Sequence, residues 1–159
     1  MRLAPWRERA FPNLASAEYG VTSAETPAYN CIAWAAERTG SWWWPDSGGD
    51  YFWPTGVPRE ESLEAFIHAF KLAGYEPSEH TDTEPEFDRI AIYVDAAGVP
   101  THAARQLASG SWTSKLGSWE DIEHRTLEAL AGRDPAYGRV AVILRRPRYA
   151  DRGNRTETT

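Results

Sequence analysis

The chain has 159 residues, a net charge of −6 and a single cysteine. Its excess negative charge argues against the concentrated basic surface that phosphate contacts need, so we expect neither nucleic acid nor an anionic membrane as a partner. One cysteine excludes an intramolecular disulfide framework, and residues 1–9 lack the apolar stretch of a secretory signal. We therefore expect a cytoplasmic protein, or one exported by a route without a classical signal peptide.

The predicted elements follow a lead-in, residues 1–28, which prolines interrupt and which we expect to be irregular. Asn30 is a preferred N-cap residue, and the run after it predicts a helix over residues 31–38 that ends before Gly40. A second helix is predicted over residues 60–73. Its buried face is an apolar stripe at helical spacing, formed by Leu63, Phe66, Ile67 and Phe70.

Segments rich in β-branched and aromatic residues predict an antiparallel sheet after these helices. The predicted strands are residues 90–94, 101–107, 111–116 and 139–144, with a short hairpin loop between the second and the third. A third helix is predicted over residues 119–130, and the polar tail, residues 148–159, is predicted to be disordered. Residues 29–147 are therefore expected to form a single α+β domain with helices segregated from the sheet.

The segment between the first two predicted helices, residues 41–54, is a loop by its turn residues. It holds four of the eight tryptophans of the chain, namely Trp42, Trp43, Trp44 and Trp53. Aromatic side chains of this size cannot all be left in water, so we expect them to pack over the core. The functional alternative is a lid or a substrate-binding wall beside Cys31.

Cys31 falls in the first turn of the first predicted helix. There the free backbone N–H groups and the positive end of the helix dipole favour the thiolate, which is the nucleophilic form of cysteine. His102 opens the second predicted strand, and an imidazole is the usual acceptor of a thiol proton. The two residues together predict a cysteine nucleophile with a histidine base. The structural alternative for a lone cysteine is a small buried apolar residue.

The predicted hairpin supplies a candidate third group. Its register pairs Gln106 with Trp112 and Ala104 with Ser114, so these four side chains share one face of the sheet with His102. The hydroxyl of Ser114 can accept the imidazole N–H of His102, which makes Ser114 the preferred candidate for a third group that orients the histidine. Alternatives by chemistry alone are Asp95, Glu120 and His124.

The run Asn30-Cys31-Ile32-Ala33-Trp34-Ala35 resembles the nucleophile helix of CHAP-type cysteine peptidases and amidases. Residues 102–110 resemble the histidine strand and hairpin of NlpC-type enzymes. Residues 112–117, with the segment rich in Trp and Pro, resemble an uncharacterised bacterial domain family. Over about residues 27–146 the resemblance implies a papain-like fold, with the nucleophile helix packed on an antiparallel sheet. The Asp-Cys-Ser-Gly signature of NlpC-type enzymes is absent, so peptidoglycan specificity is not implied.

These observations predict a thiol hydrolase, that is, a cysteine peptidase, amidase or deamidase that works through a thioacyl-enzyme. The expected substrate is a peptide, an isopeptide or another amide, and a deamidase or transglutaminase-like toxin domain is one form of this prediction. Two alternatives stay open: a non-catalytic binding module on the same fold that uses the Trp-rich loop for recognition, and an interaction protein in which Cys31 is core. No cofactor is implied, and the four scattered histidines give no metal-ligand spacing.

Six further residues are candidate substrate contacts because they lie beside Cys31 in the sequence, belong to the Trp-rich loop or share the sheet face of His102. They are Asn30, Trp34, Trp43, Trp44, Gln106 and Trp112. Arg105 and Lys115 fall on the opposite face by the same alternation, and we expect them to be structural ion-pair donors.

Overall fold

A computed structural model describes residues 1–80 and 82–148 of the chain. Its main element is a seven-stranded antiparallel sheet with the order β1-β6-β5-β4-β3-β7-β2. The strands are β1 (Tyr19–Ser23), β2 (Glu76–Ser78), β3 (Phe87–Val94), β4 (Pro100–Gln106), β5 (Trp112–Lys115), β6 (Asp121–His124) and β7 (Arg139–Pro147). The helices are α1 (Pro5–Glu8), α2 (Cys31–Ala35) and α3 (Leu63–Lys71), and Leu127–Leu130 forms a 3₁₀ helix.

The expectation of a papain-like α+β fold, with a nucleophile helix packed on the sheet, is wrong. The described residues form mostly antiparallel sheet, and their helices are few and short. The helix expected over residues 31–38 stops at Ala35, and the one expected over residues 60–73 spans Leu63–Lys71. Fewer residues are helical than the local signals indicated: the first two helices are shorter at their ends, and strand pairing takes up part of the third.

The third predicted helix, residues 119–130, shows this most clearly. Residues 121–124 form β6 instead, paired antiparallel with β5 on one side and with β1 on the other. Asp121, Ile122 and His124 are all buried, so side chains from both sides of the strand are removed from water. Burial between two partner strands outweighs the modest helix propensity of this segment.

Two segments that were expected to be irregular also contain regular structure. The lead-in, residues 1–28, carries α1 and β1, and the acidic linker after α3 carries β2, which pairs with β7. The hairpin register was predicted correctly, since Gln106 pairs with Trp112. The tail predicted to be disordered, residues 148–159, lies outside the described residues except for Arg148.

Apolar clusters cover both faces of the sheet. The first cluster packs α2 and α3 against Ile90, Ile92 and Ala103. The second packs the lead-in and the 3₁₀ helix against side chains of opposite parity in the same strands, including Ala91 and Ala104. The helices α2 and α3 therefore lie on one face of β4, the strand that carries His102, and the lead-in and the 3₁₀ helix lie on the other face.

Within the described residues, none of the helices is both long enough and apolar enough to cross a lipid bilayer.

Candidate active site around Cys31

The start of α2 is fixed by Asn30, as its cap position predicts. The side-chain oxygen of Asn30 accepts hydrogen bonds from the backbone N–H groups of Ala33, at 3.2 Å, and Trp43, at 3.0 Å. Its amide nitrogen donates to the Trp43 carbonyl at 2.7 Å. One buried amide side chain thus holds the first turn of α2 and the beginning of the Trp-rich loop together. Cys31, the first residue of the helix, is placed beside that loop.

Cys31 opens into a cavity of about 300 Å³. Its walls are Asn30, Cys31, Trp42, Trp44, Tyr51, Thr101, Gly117 and Tyr137. Four of these eight residues are aromatic. The thiol of Cys31 and the phenols of Tyr51 and Tyr137 are the groups among them that can ionise, and none of the eight is an acidic or basic residue. The cavity therefore presents a sulfur atom inside largely apolar, aromatic walls, which is the usual character of a small-molecule or side-chain binding site.

Cys31 is buried, with 5% of the residue exposed. Burial raises its pKa to about 11, although the backbone N–H groups of Ala103, Ile32 and Cys31 and the charge of Lys115 act in the opposite direction. The expectation that the helix start holds a thiolate is therefore not met in this structure. The reason is desolvation, which disfavours the charged form more than the donors of a five-residue helix favour it. At neutral pH the sulfur is a thiol.

His102 lies on the other parity of β4. The side chain of Ala103 packs in the cluster that contains Cys31, whereas the imidazole of His102 contacts Tyr93 and Tyr137. Ring centroids are 5.4 Å apart for Tyr93 and 4.1 Å apart for Tyr137, which is stacked almost parallel at 2°. Tyr137 also lines the cavity, so its ring separates the imidazole from part of that space. His102 is completely buried.

The predicted contact between His102 and Ser114 is present. Nε2 of His102 lies 2.9 Å from Oγ of Ser114, and the same hydroxyl lies 2.8 Å from Nε2 of His124. Nδ1 of His124 lies 2.8 Å from the carbonyl oxygen of Thr126. These contacts form a buried chain of three side chains that ends on a backbone carbonyl.

The carbonyl at the end of this chain fixes its proton positions. A carbonyl only accepts, so Nδ1 of His124 carries a proton, and burial lowers the pKa of His124 to about 4, which leaves its Nε2 bare at neutral pH. The Ser114 hydroxyl therefore donates to His124 and accepts from Nε2–H of His102. Burial also holds the pKa of His102 well below its usual value. Its Nδ1 consequently presents a free lone pair.

That lone pair has no hydrogen-bond partner among the residues the structure describes. A fully buried imidazole nitrogen without a partner is unusual in folded proteins. It belongs to the residue directly before Ala103, whose N–H acts on the Cys31 sulfur. Ala103 and His102 are neighbours on β4, but their side chains point to opposite faces of the strand, and no hydrogen bond joins the thiol to Nδ1 of His102 among the described residues.

The alternatives for the third group are separated by the structure. His124 joins His102 through Ser114, as described above. Asp95 instead accepts the backbone N–H groups of its own turn, from Ala97 and Val99, at 2.9 Å each. Glu120 pairs with Arg7 at 2.6 Å. Neither carboxylate contacts His102.

Of the six predicted substrate contacts, Asn30 and Trp44 line the cavity and the other four do not. Trp34 donates from Nε1 to Oγ1 of Thr113 at 2.9 Å, which ties α2 to β5. The ring of Trp43 packs on Phe52 at 4.8 Å. These two tryptophans hold the scaffold together.

The remaining two, Gln106 and Trp112, lie away from the cavity at the far end of the hairpin. Gln106 donates to the Gly110 carbonyl at 3.0 Å and accepts from Arg89. Trp112 packs in the second cluster, with the Arg89 guanidinium 6.0 Å from its ring. Sharing a sheet face with His102 was too weak a criterion, because a strand pair extends well beyond one site.

Sequence reasoning missed several walls of the cavity. Trp42 and Tyr51 carried a usable signal, since both lie in the aromatic loop. Thr101 and Gly117 adjoin predicted strand ends, where chain reversals bring side chains to one edge of the sheet. Tyr137 carried no signal, because its place depends on how the segment after the 3₁₀ helix folds back onto β4, where Thr101 Oγ1 donates to the Tyr137 carbonyl at 2.6 Å.

The molecule is thus an antiparallel sheet protein in which Cys31 lines an aromatic cavity and two buried histidines, His102 and His124, are joined through the hydroxyl of Ser114. Residues 20–145 match the family described as Domain of unknown function (DUF7689), and the chain belongs to that family. The matched range includes Cys31, His102, Ser114 and His124. No curated protein and no solved structure matches the chain.

Proposed function

We propose that the protein is a thiol hydrolase that cleaves or deamidates an amide through a thioacyl-enzyme, with Cys31 as nucleophile and His102 as base. The observation that carries the proposal is the bare, fully buried Nδ1 of His102. Its tautomer is set by Ser114 and His124, and it lies on the strand that adjoins the thiol. An unsatisfied buried acceptor costs about 1–3 kcal/mol, a penalty that a proton-accepting role would explain.

In the proposed reaction, substrate binding brings Nδ1 of His102 within reach of the thiol, since His102 is not a wall of the cavity in this structure. Sγ of Cys31 then attacks the carbonyl carbon of the bound amide while its proton passes to that nitrogen. The imidazolium then protonates the leaving amine as the C–N bond breaks, which leaves a thioacyl-enzyme. Water attacks the thioester and gives its proton to the same nitrogen, and the acid leaves as Sγ is reprotonated. Because both groups rest neutral, proton transfer accompanies attack and no preformed ion pair is needed.

The Ser114 hydroxyl supports this role by holding Nε2–H of His102 on one side of the ring. It accepts that proton's hydrogen bond without removing the proton. An imidazolium formed on His102 therefore stays hydrogen-bonded at Nε2. A serine stabilises the cation less than a carboxylate does, and burial also lowers the pKa of His102, so both effects keep the resting imidazole neutral.

An activated ester tests the proposal without knowledge of the natural substrate. The protein is treated with p-nitrophenyl acetate, and acetylation of Cys31 is followed by intact mass and by release of nitrophenol. We expect an acetyl-enzyme in the wild type, none in Cys31→Ala, and acylation at least roughly 100-fold slower in His102→Ala. His68→Ala, which removes an exposed histidine on α3, is the matched control and should behave as wild type. Equal acylation rates in the wild type and His102→Ala would contradict the proposal.

A second candidate is a non-catalytic binding module that uses the aromatic cavity. The observation in its favour is the protonated, desolvated thiol, whose pKa near 11 suits a wall of an apolar site better than a nucleophile. This candidate predicts that Cys31→Ala retains binding of a small aromatic probe, measured by quenching of Trp42 and Trp44 fluorescence. It also predicts no acetyl-enzyme under any condition.

A further inference from the structure

The most deeply buried cation on the Cys31 side of the sheet is Lys115, which is completely inaccessible to solvent. A fully buried lysine is rare unless its ammonium is satisfied by partners. Here Nζ donates to the carbonyl oxygen of Thr26 at 2.8 Å and to that of Gly117. It also lies 5.0 Å from the ring centre of Tyr29. All three partners are close to the candidate site.

Each partner has a direct link to the cavity. Gly117 is one of the cavity walls. Thr26 belongs to the segment that leads into α2, and Tyr29 directly precedes the cap residue Asn30. The lysine therefore joins the turn after β5 to the chain just before the nucleophile. Gly117 adopts φ of +61°, a conformation that favours glycine and turns its carbonyl toward the ammonium.

We infer that Lys115 is a positioning residue of the Cys31 site: it fixes the cavity wall at Gly117 and holds a positive charge behind the thiol. This inference rests on the proposed function. A charge that is bound only by neutral carbonyl oxygens and a ring keeps most of its field, because no counter-ion in contact cancels it. The field acts strongly where water is excluded. Negative charge that develops on sulfur or on the attacked carbonyl oxygen would be stabilised by it.

The nearest fixed anion is Asp121, the cross-strand partner of Lys115 on β6. One of its oxygens accepts the Tyr29 hydroxyl at 2.7 Å, and the other has no hydrogen-bond partner among the described residues. No ion pair within 4.0 Å joins it to Lys115 among those residues. Asp121 is therefore close enough to help keep the lysine charged: burial lowers the pKa of Lys115, and this carboxylate, followed by Cys31 when its sulfur is ionised, opposes that effect.

Two further carboxylates that act on the lysine are occupied by another partner. Glu25 and Glu120 both pair with Arg7, and their effects on the pKa of Lys115 come after those of Asp121 and Cys31. Tyr29 stays a neutral phenol because burial and Asp121 hold its pKa far above its usual value. Lys115 is thus the charged group that favours ionisation of Cys31, and the thiolate, once formed, favours the charged form of the lysine in turn.

The test is the pH dependence of iodoacetamide alkylation at Cys31 in the full chain. Lys115→Met keeps the length of the side chain and removes the charge, so we expect the apparent pKa of Cys31 to rise by about one unit or more. Lys115→Arg should restore most of the lost reactivity. Arg105→Met is the matched control. It removes a cation from the same sheet face, but the guanidinium of Arg105 lies over the ring of Trp34 and is not a wall of the cavity. It should leave the alkylation profile unchanged.

A second neutral variant guards against misfolding of Lys115→Met. Lys115→Gln removes the charge but keeps an N–H donor for the carbonyl oxygens of Thr26 and Gly117, so the apparent pKa of Cys31 should again rise. An unchanged Cys31 pKa in either folded neutral variant would overturn the inference. Failure of the proposed function has a different signature, because it shows as a missing acetyl-enzyme in the wild type with p-nitrophenyl acetate, whatever the alkylation profile of the Lys115 variants.

Discussion

The imidazole of His102 lies flat against the phenol ring of Tyr137, with ring centroids 4.1 Å apart and ring planes 2° apart. Tyr137 also forms a wall of the Cys31 cavity, so one ring touches both the histidine and the space in which a substrate would bind. The stack restricts rotation of the imidazole and keeps Nε2 directed at Ser114. The orientation of the candidate base therefore depends on a residue 35 positions further along the chain.

The first prediction concerns this stack. Tyr137→Phe preserves the ring and should acylate with p-nitrophenyl acetate within roughly twofold of the wild-type rate, because stacking depends on the ring face and not on the hydroxyl. Tyr137→Leu removes the aromatic face, frees the imidazole to turn, and should slow acylation roughly tenfold or more. Equal rates in Phe and Leu variants would show that the stack does not position His102.

The second prediction concerns the serine between the two histidines. Ser114→Ala leaves Nε2–H of His102 without an acceptor and Nε2 of His124 without a donor in a completely buried place. We expect a loss of about 2–3 kcal/mol in the free energy of unfolding, measured with urea. Ser47→Ala, at an exposed turn position, should change it by less than about 0.5 kcal/mol. If Ser114→Ala also lowered the free energy of unfolding by less than about 0.5 kcal/mol, the hydrogen bonds that join His102, Ser114 and His124 would not be formed.

The third prediction is a loss of stability in mild acid. In the folded protein the pKa of His124 is lowered from 6.5 to about 4, so between these values the unfolded chain binds the proton and the folded chain does not. The free energy of unfolding should therefore fall as pH falls from about 6.5 to about 4, by roughly 3 kcal/mol from this residue. His102 acts in the same direction.

Urea unfolding at a series of pH values checks this dependence. His124→Gln has no group that titrates in this range, so its unfolding free energy should change less steeply with pH than that of the wild type. If the two slopes agree, His124 is not held neutral in the folded state.

The fourth prediction separates scaffold tryptophans from cavity tryptophans. Trp34→Phe removes the donor to Thr113 and should lower the free energy of unfolding by about 1 kcal/mol, while acylation of Cys31 by p-nitrophenyl acetate stays near the wild-type rate. Trp44→Ala opens the cavity wall and should change that rate severalfold. If Trp34→Phe changed the acylation rate and Trp44→Ala changed only the free energy of unfolding, Trp34 would belong to the site and Trp44 to the scaffold.

The fifth prediction concerns the glycine that follows Tyr137. Gly138 and Gly98 have nearly the same φ, +85° and +84°, so Ala at either position meets the same backbone strain. An added Cβ at Gly138 would lie 2.0 Å from the Val94 carbonyl oxygen, whereas at Gly98 it meets no atom within 4 Å. Gly138→Ala should therefore destabilise by about 2 kcal/mol more than Gly98→Ala in urea unfolding. Equal losses would show that the close approach of β7 to β3 is relaxed in solution.

Local signals in the sequence were enough for the start of α2, for α3 and for the β4–β5 hairpin. Asn30 caps α2 with its own side chain, and Ser62 accepts the N–H of Ala65 at the start of α3 in the same way. The Gln106–Trp112 register follows from loop length and alternation. The contact of His102 with Ser114 follows from that register, so the candidate third group was found without tertiary information.

Other features depended on contacts between distant parts of the chain. Residues 121–124 have helical capping signals on their N-terminal side, but they form β6 because β1, a segment without periodicity, supplies the second edge to pair with. Tyr137 reaches His102 only because the chain after the 3₁₀ helix returns to β4. Such choices depend on which surfaces are available to bury, and that is a property of the assembled sheet.

The protonation of the site likewise depends partly on local geometry and partly on contacts between distant parts of the chain. The sequence by itself determined which reactive groups exist, where α2 begins, and that Ser114 faces His102, because capping, alternation and hairpin register are local geometry. Only the tertiary structure decided the extension of the sheet to seven strands, the walls of the cavity and the charge state of Cys31. A thiol at a helix start is favoured as the anion by its own backbone, but burial under the aromatic loop removes the water that ionisation needs, and desolvation wins.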